Sequence, residues 1–164
     1  MIDPALRQEW RLVVVGLNAK ARSEFERHAR RCGTLKSVRW FDFVDEDQFN
    51  ALLGSAQALV YPSLSEEFGR PVLDAWAAGT AVLTSNTASL KELAGKAAMT
   101  VDPTDVCAVA DGLWALMKDE QTRANLVGRG GRRVREFSWS QTAERFADVI
   151  ERVVSSADAS RQAA

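Results

Sequence analysis

Short apolar runs rich in β-branched residues alternate with segments of helical period along this chain, and this alternation limits its fold more than any other feature. Five runs have the length and composition of buried strands, at residues 12–16, 38–41, 58–61, 81–84 and 98–101. Such runs are typical of a parallel sheet that helices cover on both faces. Amphipathic segments lie between the runs. The sequence therefore predicts βαβ units in a doubly wound, Rossmann-like α/β domain.

The pattern becomes wholly helical after residue 103. One helix is predicted from about residue 106, a second from Glu120 to about Arg135 and a third from Ser138, where Gln141 completes a capping box. The apolar face of the third helix comprises Ala143, Phe146, Val149, Ile150 and Val153. We expect one domain over residues 1–155 and a flexible tail over residues 156–164, which are small and polar.

Composition excludes several classes of function. The chain of 164 residues has 21 basic and 22 acidic side chains, so its net charge of -1 argues against a nucleic-acid-binding protein. Its apolar runs all fall short of the roughly 20 residues that span a bilayer. Residues 1–10 are mixed and charged, unlike a secretion signal. We therefore expect a cytoplasmic protein, and leave peripheral contact with the inner membrane face as an alternative.

The residues suited to chemistry follow the third predicted strand. Open α/β sheets bind ligands at the carboxyl ends of their strands. Gly69 and Pro71 begin a helix there, and proline suits a first turn because its missing N–H would lack a partner anyway. The amides from Phe68 to Val72 are expected to point into the crevice, with the positive end of the helix dipole behind them. This arrangement predicts an anion site that suits a diphosphate.

Charged side chains surround this helix start. Arg70 can add a charged contact to a phosphate. Glu66 precedes the helix and Asp74 lies one turn inside it, where each carboxylate can accept hydrogen bonds from sugar hydroxyls. The same carboxylates would also stabilise a helix start by roughly 0.3–1 kcal/mol without any ligand. From the chemistry alone, both interpretations remain open.

A resemblance to a known family favours the ligand site. The motif is Pro62-Ser63-x-x-Glu66-x-Phe68-Gly69-x-Pro71-x-x-Asp74-Ala75-x-Ala77-x-Gly79. It resembles the E-x7-E segment of the retaining GT-B glycosyltransferases of family 4, also called glycosyl transferases group 1. The likeness covers nearly the whole chain, because residues 12–16, 38–44, 85–95, 101–103 and 137–139 resemble further landmarks of the C-terminal lobe of that family.

The resemblance implies a domain that binds a nucleoside-diphosphate sugar, the donor, for retaining transfer without a metal or covalent cofactor. It gives Glu66 the catalytic position and a contact with the donor sugar, and it gives Asp74 the ribose. Backbone amides of Phe68 and Gly69 would bind sugar and phosphate. Together with Arg70 and Pro71 of the helix start, the expected donor-binding residues are Glu66, Phe68, Gly69, Arg70, Pro71 and Asp74.

The sequence departs from the family pattern at three positions. Asp74 replaces a glutamate and so has a shorter reach. Glu67 stands where the family has glycine, which is unfavourable if that position needs a positive φ. Asp42 also stands at a glycine position of the family, in the loop expected on the base side.

The first strand of the family's lobe, with its Arg- and Lys-containing segment, is not recognisable. Strands 11–16 and 57–61 would then flank a gap. The gap can be relieved if these strands pair directly, if residues 1–10 fill it, or if another chain donates a strand. We expect direct pairing or a dimer, because Pro4 and the charges nearby suit a buried strand badly.

Three functions compete. The first is a glycosyltransferase donor domain, a fragment of a larger enzyme or one subunit of a split one, that needs an N-terminal lobe for activity and is inactive alone. A homodimer partner is expected as an alternative to a separate lobe. The second is a non-catalytic nucleotide-sugar-binding module or a decayed remnant. The third, an unrelated doubly wound domain such as a phosphosignalling receiver, is disfavoured because Gly16-Leu17-Asn18 stands where a receiver has acidic residues.

Overall fold

A computed structural model describes residues 10–162, with side chains as far as residue 156. The strands of this part of the chain are β1 (Leu12–Val15), β2 (Val38–Phe41), β3 (Ala58–Tyr61), β4 (Ala81–Ser85) and β5 (Met99–Val101). All of their pairings are parallel. Each strand lies within a residue or so of its predicted position. The doubly wound α/β class is confirmed.

Helices connect the strands and complete the C-terminal part. They are α1 (Ala19–Arg31), α2 (Glu46–Ser55), α3 (Arg70–Ala77), α4 (Ala88–Ala94), α5 (Val106–Lys118), α6 (Glu120–Arg133) and α7 (Trp139–Gln162). Short polar residues begin several of them: the side chains of Asn18, Asp45, Asp105 and Asp119 accept hydrogen bonds from first-turn amides. Helix α7 continues to Gln162, so the tail predicted from residue 156 is helical over most of its length.

The strands form two separate sheets within the described residues. One sheet consists of β1 and β2, and the other has the order β3-β4-β5. The expected direct pairing of the two strands at the gap is therefore wrong, since β1 and β3 each end a sheet. The alternative that residues 1–10 fill the gap falls almost entirely on residues 1–9, which lie outside the described residues. Leu12 and Val13 of β1 are each 42% exposed.

The core surrounds β4, whose five residues are all buried. Val82 faces a cluster that includes Val72 and Trp76 of α3 and Leu90 of α4. Ala81 and Leu83 face the opposite cluster, with Leu116 of α5 and Leu126 of α6. Because side chains alternate along a strand, β4 connects both halves of the core. Both buried clusters are built from residues between Leu53 and Leu126.

A close approach between helices holds α3 in place. Gly130 of α6 lies against the indole ring of Trp76, which is 2% exposed, and an added Cβ at Gly130 would overlap that ring. Helix α3 also contacts α2, β3 and β4. The helix that begins at Gly69 is therefore packed on several sides, and its position depends on a glycine far away in sequence.

Helix α7 exposes its apolar face. Trp139 is 86% exposed, and Phe146, Val149, Ile150 and Val153 are also exposed. Its start follows the prediction, since Ser138 Oγ accepts a hydrogen bond from the Gln141 amide at 3.1 Å. Much of the apolar face of α7 is therefore uncovered.

Candidate functional site

Gly69 shapes the turn between β3 and α3. Its φ of 95° is left-handed, and it is the N-cap of α3. A Cβ at this position would lie 2.5 Å from Cδ2 of Leu90 and 3.2 Å from Cδ2 of Leu93. Both the backbone and the packing therefore require glycine. Glu67 does not have a positive φ, because every residue with positive φ in the described chain is a glycine. The expected conflict at this position is therefore absent.

The helix start offers fewer free amides than the sequence predicts. The Val72 N–H donates to Gly69 O at 3.0 Å, so the prediction that its amide points freely into the crevice is wrong. This bond closes a short first turn, a common feature of helix ends. The amides of Phe68, Gly69 and Arg70 donate to no partner among the described residues. Pro71 has no N–H to satisfy.

Hydroxyl groups fix the backbone before this helix start. Thr84 Oγ1 donates to Tyr61 O at 2.9 Å, and Ser85 Oγ donates to Ser63 O at 2.6 Å. Ser89 Oγ, from α4, donates to Glu66 O at 2.6 Å. Thr84 and Ser85 are fully buried. Buried hydroxyls need partners, and here they bind the carbonyls at the carboxyl end of β3.

Two hydroxyl groups contact the carboxylate of Glu66. Tyr61 Oη donates to Glu66 Oε1, and Ser63 Oγ lies 3.0 Å from the same oxygen. Burial raises the pKa of Tyr61 to about 12, and the hydrogen bond to Glu66 and its charge act in the same direction. The carboxylate predicted to bind the donor sugar is thus held in a defined orientation.

A cavity of about 420 Å³ opens beside the start of α3. It lies at the carboxyl ends of β1 and β2, the side of an α/β sheet where ligands bind. Helix α3 contributes two of the charged side chains that line it. The lining residues are Val15, Gly16, Asp42, Phe43, Val44, Asp45, Glu46, Phe49, Asn50, Arg70 and Asp74.

Arg70 and Asp74 form a long, partly exposed ion pair at this cavity. Arg70 Nε lies 3.9 Å from Asp74 Oδ2, and the Arg70 side chain is 73% exposed. Burial raises the pKa of Asp74; the positive charge of Arg70 lowers it, and the negative charge of Glu46 raises it further. A half-buried carboxylate without a close ion pair can accept hydrogen bonds from a ligand.

The loop after β2 is tied to α1. Asp42 accepts from Arg22 at 2.6 Å, and Arg22 also contacts Glu26 at 3.0 Å. Asp42 thus has a structural partner at the position where the family has glycine. The loop leaves the Phe43 side chain 84% exposed at the cavity.

The structure divides the predicted residues between two places. Arg70 and Asp74 line the cavity, whereas Glu66 lies in the hydroxyl network and is not a lining residue. Phe68 packs its ring edge against Phe137, with centroids 5.9 Å apart. Gly69 and Pro71 form the turn and the first helical residues.

Three side chains of this region were not predicted from the sequence: Tyr61, Ser63 and Phe43. The first two lie in the quoted motif or directly before it, but their contacts depend on rotamers that spacing does not reveal.

Within the described residues, no helix is both long enough and apolar enough to cross a membrane. No group of three or more His, Cys, Asp or Glu side chains in that part of the chain is placed to bind a metal ion.

Known proteins resemble this chain in sequence. Residues 2–133 match the family described as Glycosyl transferases group 1. The O-antigen chain mannosyltransferase B of Escherichia coli is 34% identical over 62% of this chain and 27% of its own length. The D-inositol 3-phosphate glycosyltransferase of Salinispora tropica is 33% identical over 90% of this chain and 32% of its own length. The chain thus spans about a third of these relatives.

Solved structures share the fold. The trehalose 6-phosphate synthase of Burkholderia multivorans superposes with a TM-score of 0.84 over 96% of this chain and 38% of its own, at 16% identity. HepE of Anabaena, in complex with UDP and glucose, superposes with a TM-score of 0.79 over 90% of this chain and 42% of its own, at 19% identity.

One of the solved structures is a C-terminal domain by itself. The C-terminal domain of the group 1 glycosyl transferase LpcC from Francisella tularensis has a TM-score of 0.70 over 79% of this chain and 70% of its own, at 24% identity. This agrees with the placement of the chain as a C-terminal lobe of the GT-B fold. The motif between β3 and α3, the sequence match over most of the chain and the shared fold agree, and the chain belongs to the glycosyl transferases group 1 family.

Proposed function

We propose that this chain is the donor-binding domain of a retaining glycosyltransferase and holds a nucleoside-diphosphate sugar at the start of α3. The observation that carries the proposal is the group of open amides at Phe68, Gly69 and Arg70, which lies between two carboxylates, Glu66 and Asp74. Family membership supports it, as does the same fold in HepE, whose structure contains UDP and glucose.

Each part of the donor has a place in this proposal. The diphosphate lies at the open amides and the positive end of the helix dipole, with Arg70 at its side. The ribose hydroxyls donate to Asp74 at the cavity, and the base lies against the loop that contains Phe43. The sugar hydroxyls donate to Glu66, on the other side of the diphosphate.

Catalysis in this scheme consists of positioning and charge stabilisation. The departing nucleoside diphosphate gains negative charge, which the amides and Arg70 stabilise in place of water. Glu66 orients the sugar through its hydroxyls.

A second lobe would bring the acceptor. Because the chain spans about a third of its curated relatives, we propose that turnover needs a partner, either a separate N-terminal lobe or a second copy. The exposed apolar face of α7 is the surface proposed to meet it. Radiolabelled transfer by the purified chain alone would refute this requirement. If added second-lobe protein never restores transfer although the donor binds, the non-catalytic module is the better account.

Titration calorimetry tests the donor site. UDP, GDP and ADP, each with its glucose or mannose conjugate, are titrated into the wild-type chain and Arg70→Ala. We expect saturable binding of at least one pair, and a loss of about 1–3 kcal/mol in Arg70→Ala because a charge-assisted contact to phosphate disappears. Arg30→Ala, at an exposed position near the far end of α1, is the control and should bind as wild type does. No saturable binding at millimolar ligand would refute the proposal.

Donor binding is further proposed to need no metal. The open amides and Arg70 already supply positive charge to the diphosphate, so a cation is not required to offset it. We expect the same dissociation constants in the presence of a chelator and of Mg²⁺. A marked loss of affinity on chelation would overturn this part of the proposal.

A further inference from the structure

The hydroxyl network around Glu66 has two levels. Ser85 and Ser89 bind the backbone, at Ser63 O and Glu66 O, over 2.6 Å each. Tyr61 and Ser63 instead bind the carboxylate itself. The hydrogen bonds to the carbonyls of Ser63 and Glu66 already hold the loop. The hydroxyls of Tyr61 and Ser63 therefore have a different effect, because they fix the orientation of the Glu66 carboxylate.

Both hydroxyls meet the same carboxylate oxygen. Tyr61 Oη and Ser63 Oγ contact Oε1 of Glu66, and Oε2 has no hydrogen-bond partner among the described residues. Ser63 Oγ also lies 3.1 Å from Ser65 O, and its single proton can serve only one acceptor at a time. Tyr61 is therefore the more constant donor to Glu66.

We propose that Tyr61 and Ser63 are positioning residues that hold Glu66 through Oε1 and so present Oε2 to a hydroxyl of the donor sugar. This inference rests on the proposed function. A glutamate side chain has three rotatable bonds, and fixing them before the ligand arrives lowers the entropy lost on binding. The effect belongs to the sugar alone, because the diphosphate and ribose are held elsewhere, at the amides and Asp74.

Binding of matched ligand pairs tests this role. UDP with UDP-glucose, GDP with GDP-mannose and ADP with ADP-glucose are titrated into wild type, Tyr61→Phe, Ser63→Ala and Ser63→Thr. We expect Tyr61→Phe to weaken binding of the nucleotide sugar by about tenfold while affinity for the bare nucleotide stays within about twofold. Ser63→Ala should show the same selectivity with a smaller loss, and Ser63→Thr should restore affinity because it keeps the hydroxyl. Ser65→Ala, two residues away, should leave both affinities unchanged.

A second measurement reports on the hydrogen bond without any ligand. Tyr61 is the only tyrosine of the chain, so phenolate absorbance follows its ionisation alone. With a pKa of about 12, Tyr61 would be about one-tenth ionised at about pH 11, against about nine-tenths at the ordinary value of 10.0. Glu66→Gln should lower the midpoint, because it removes the negative charge next to the phenol. Circular dichroism at the same pH verifies that each variant remains folded.

The outcomes separate the two proposals. If wild type binds none of the pairs, the proposed function is refuted, and the role of Tyr61 in donor binding falls with it. If the nucleotides bind but Tyr61→Phe weakens both members of a pair equally, or neither, the donor site stands and the positioning role is overturned. An ordinary midpoint in folded wild type, unchanged by Glu66→Gln, overturns the hydrogen bond itself.

Discussion

At the scale of single residues, the two carboxylates of the candidate site differ in their surroundings. Glu66 is held by hydroxyl donors, whereas Asp74 is half-buried at a cavity, where Arg70 lies 3.9 Å away and Glu46 adds a negative charge. Burial raises the pKa of Asp74, which means that its charged form is disfavoured in the folded protein. A carboxylate kept under such conditions is typical of a binding or catalytic position.

The proposed roles of the two carboxylates predict different losses on substitution. Glu66→Gln should weaken binding of a nucleotide sugar and barely change affinity for the bare nucleotide. Asp74→Asn should weaken both, because the ribose is common to both ligands. Calorimetric titration of each variant with a nucleotide and its sugar conjugate measures the difference. Equal losses for both ligands in both variants would contradict this assignment.

Asp74→Asn should also raise the melting temperature at neutral pH. Since the folded pKa of Asp74 lies above its ordinary value of 3.8, the stability that the protonated form provides is present below pH 3.8 and lost as the pH rises through the folded pKa. Asparagine stays neutral and keeps that stability. The gain of Asp74→Asn over wild type should therefore grow from near zero in acid to its full size above the folded pKa.

Thermal unfolding followed by circular dichroism across this pH range measures the gain. Asp111→Asn, at an exposed position of α5, is the matched control and should show no such trend. A melting temperature for Asp74→Asn below that of wild type at neutral pH would show that the charged carboxylate stabilises the fold.

At the scale of the elements, α3 is placed by its contact with α6. Gly130 lets the two helices approach so closely that the Trp76 ring occupies the space of a missing side chain. In contrast, Gly128 and Gly131 of the same helix have open space around them. Helix α6 thus contains glycines of two kinds, one that packing requires and others that only lower helix propensity.

Alanine substitutions distinguish these glycines. Gly128→Ala should stabilise the protein by about 0.5–1 kcal/mol, because alanine loses less backbone entropy in a helix. Gly130→Ala should destabilise it, by about 1–3 kcal/mol from overpacking, less the helix gain. Denaturant unfolding of both variants measures the contrast. A stabilised Gly130→Ala would show that Trp76 can move aside at little cost.

Strand positions and most helix bounds follow from local pattern, because the strands are short, mostly apolar runs separated by segments of helical period. The predictions that were wrong concern features that distant parts of the chain determine. Whether β1 pairs with β3 depends on contacts between distant segments of the chain. The residue pattern within β1 does not determine those contacts. The Val72 amide and the Tyr61–Glu66 contact depend on turn geometry and rotamers. The placement of Gly69 was predictable, because only glycine readily adopts a left-handed turn at a helix start.

At the scale of the whole molecule, the candidate site joins two unequal parts. The part with β1 and β2 provides Val15, Gly16 and the loop with Asp42 and Phe43 to the cavity. The other part provides α3 and contains both buried clusters. Regions outside the main core open at low free energy, so we expect the amides of β1 and β2 to exchange hydrogen faster than those of β4.

Nucleotide binding should slow that exchange. A ligand with its base at the β1–β2 part and its phosphates at α3 contacts both parts. At a ligand concentration of a hundred times the dissociation constant, binding stabilises the folded protein by about 2.7 kcal/mol. Hydrogen exchange with mass spectrometry should show new protection in residues 12–15 and 38–41 with saturating nucleotide. Asp74→Asn at the same nucleotide concentration should show less. Protection confined to α3 would place the base elsewhere.

The contact between Gly130 and Trp76 also bears on how such domains can be recombined. Helices α6 and α7 follow all five described strands in the chain, so an exchange between related chains could replace them without altering a strand. An exchanged α6 with a residue larger than glycine at position 130 would collide with Trp76 and shift α3. The exchange would then alter the candidate site, although no residue of the site had been replaced. Any such exchange must therefore keep glycine at this position for as long as the tryptophan remains, which couples two distant stretches of the chain.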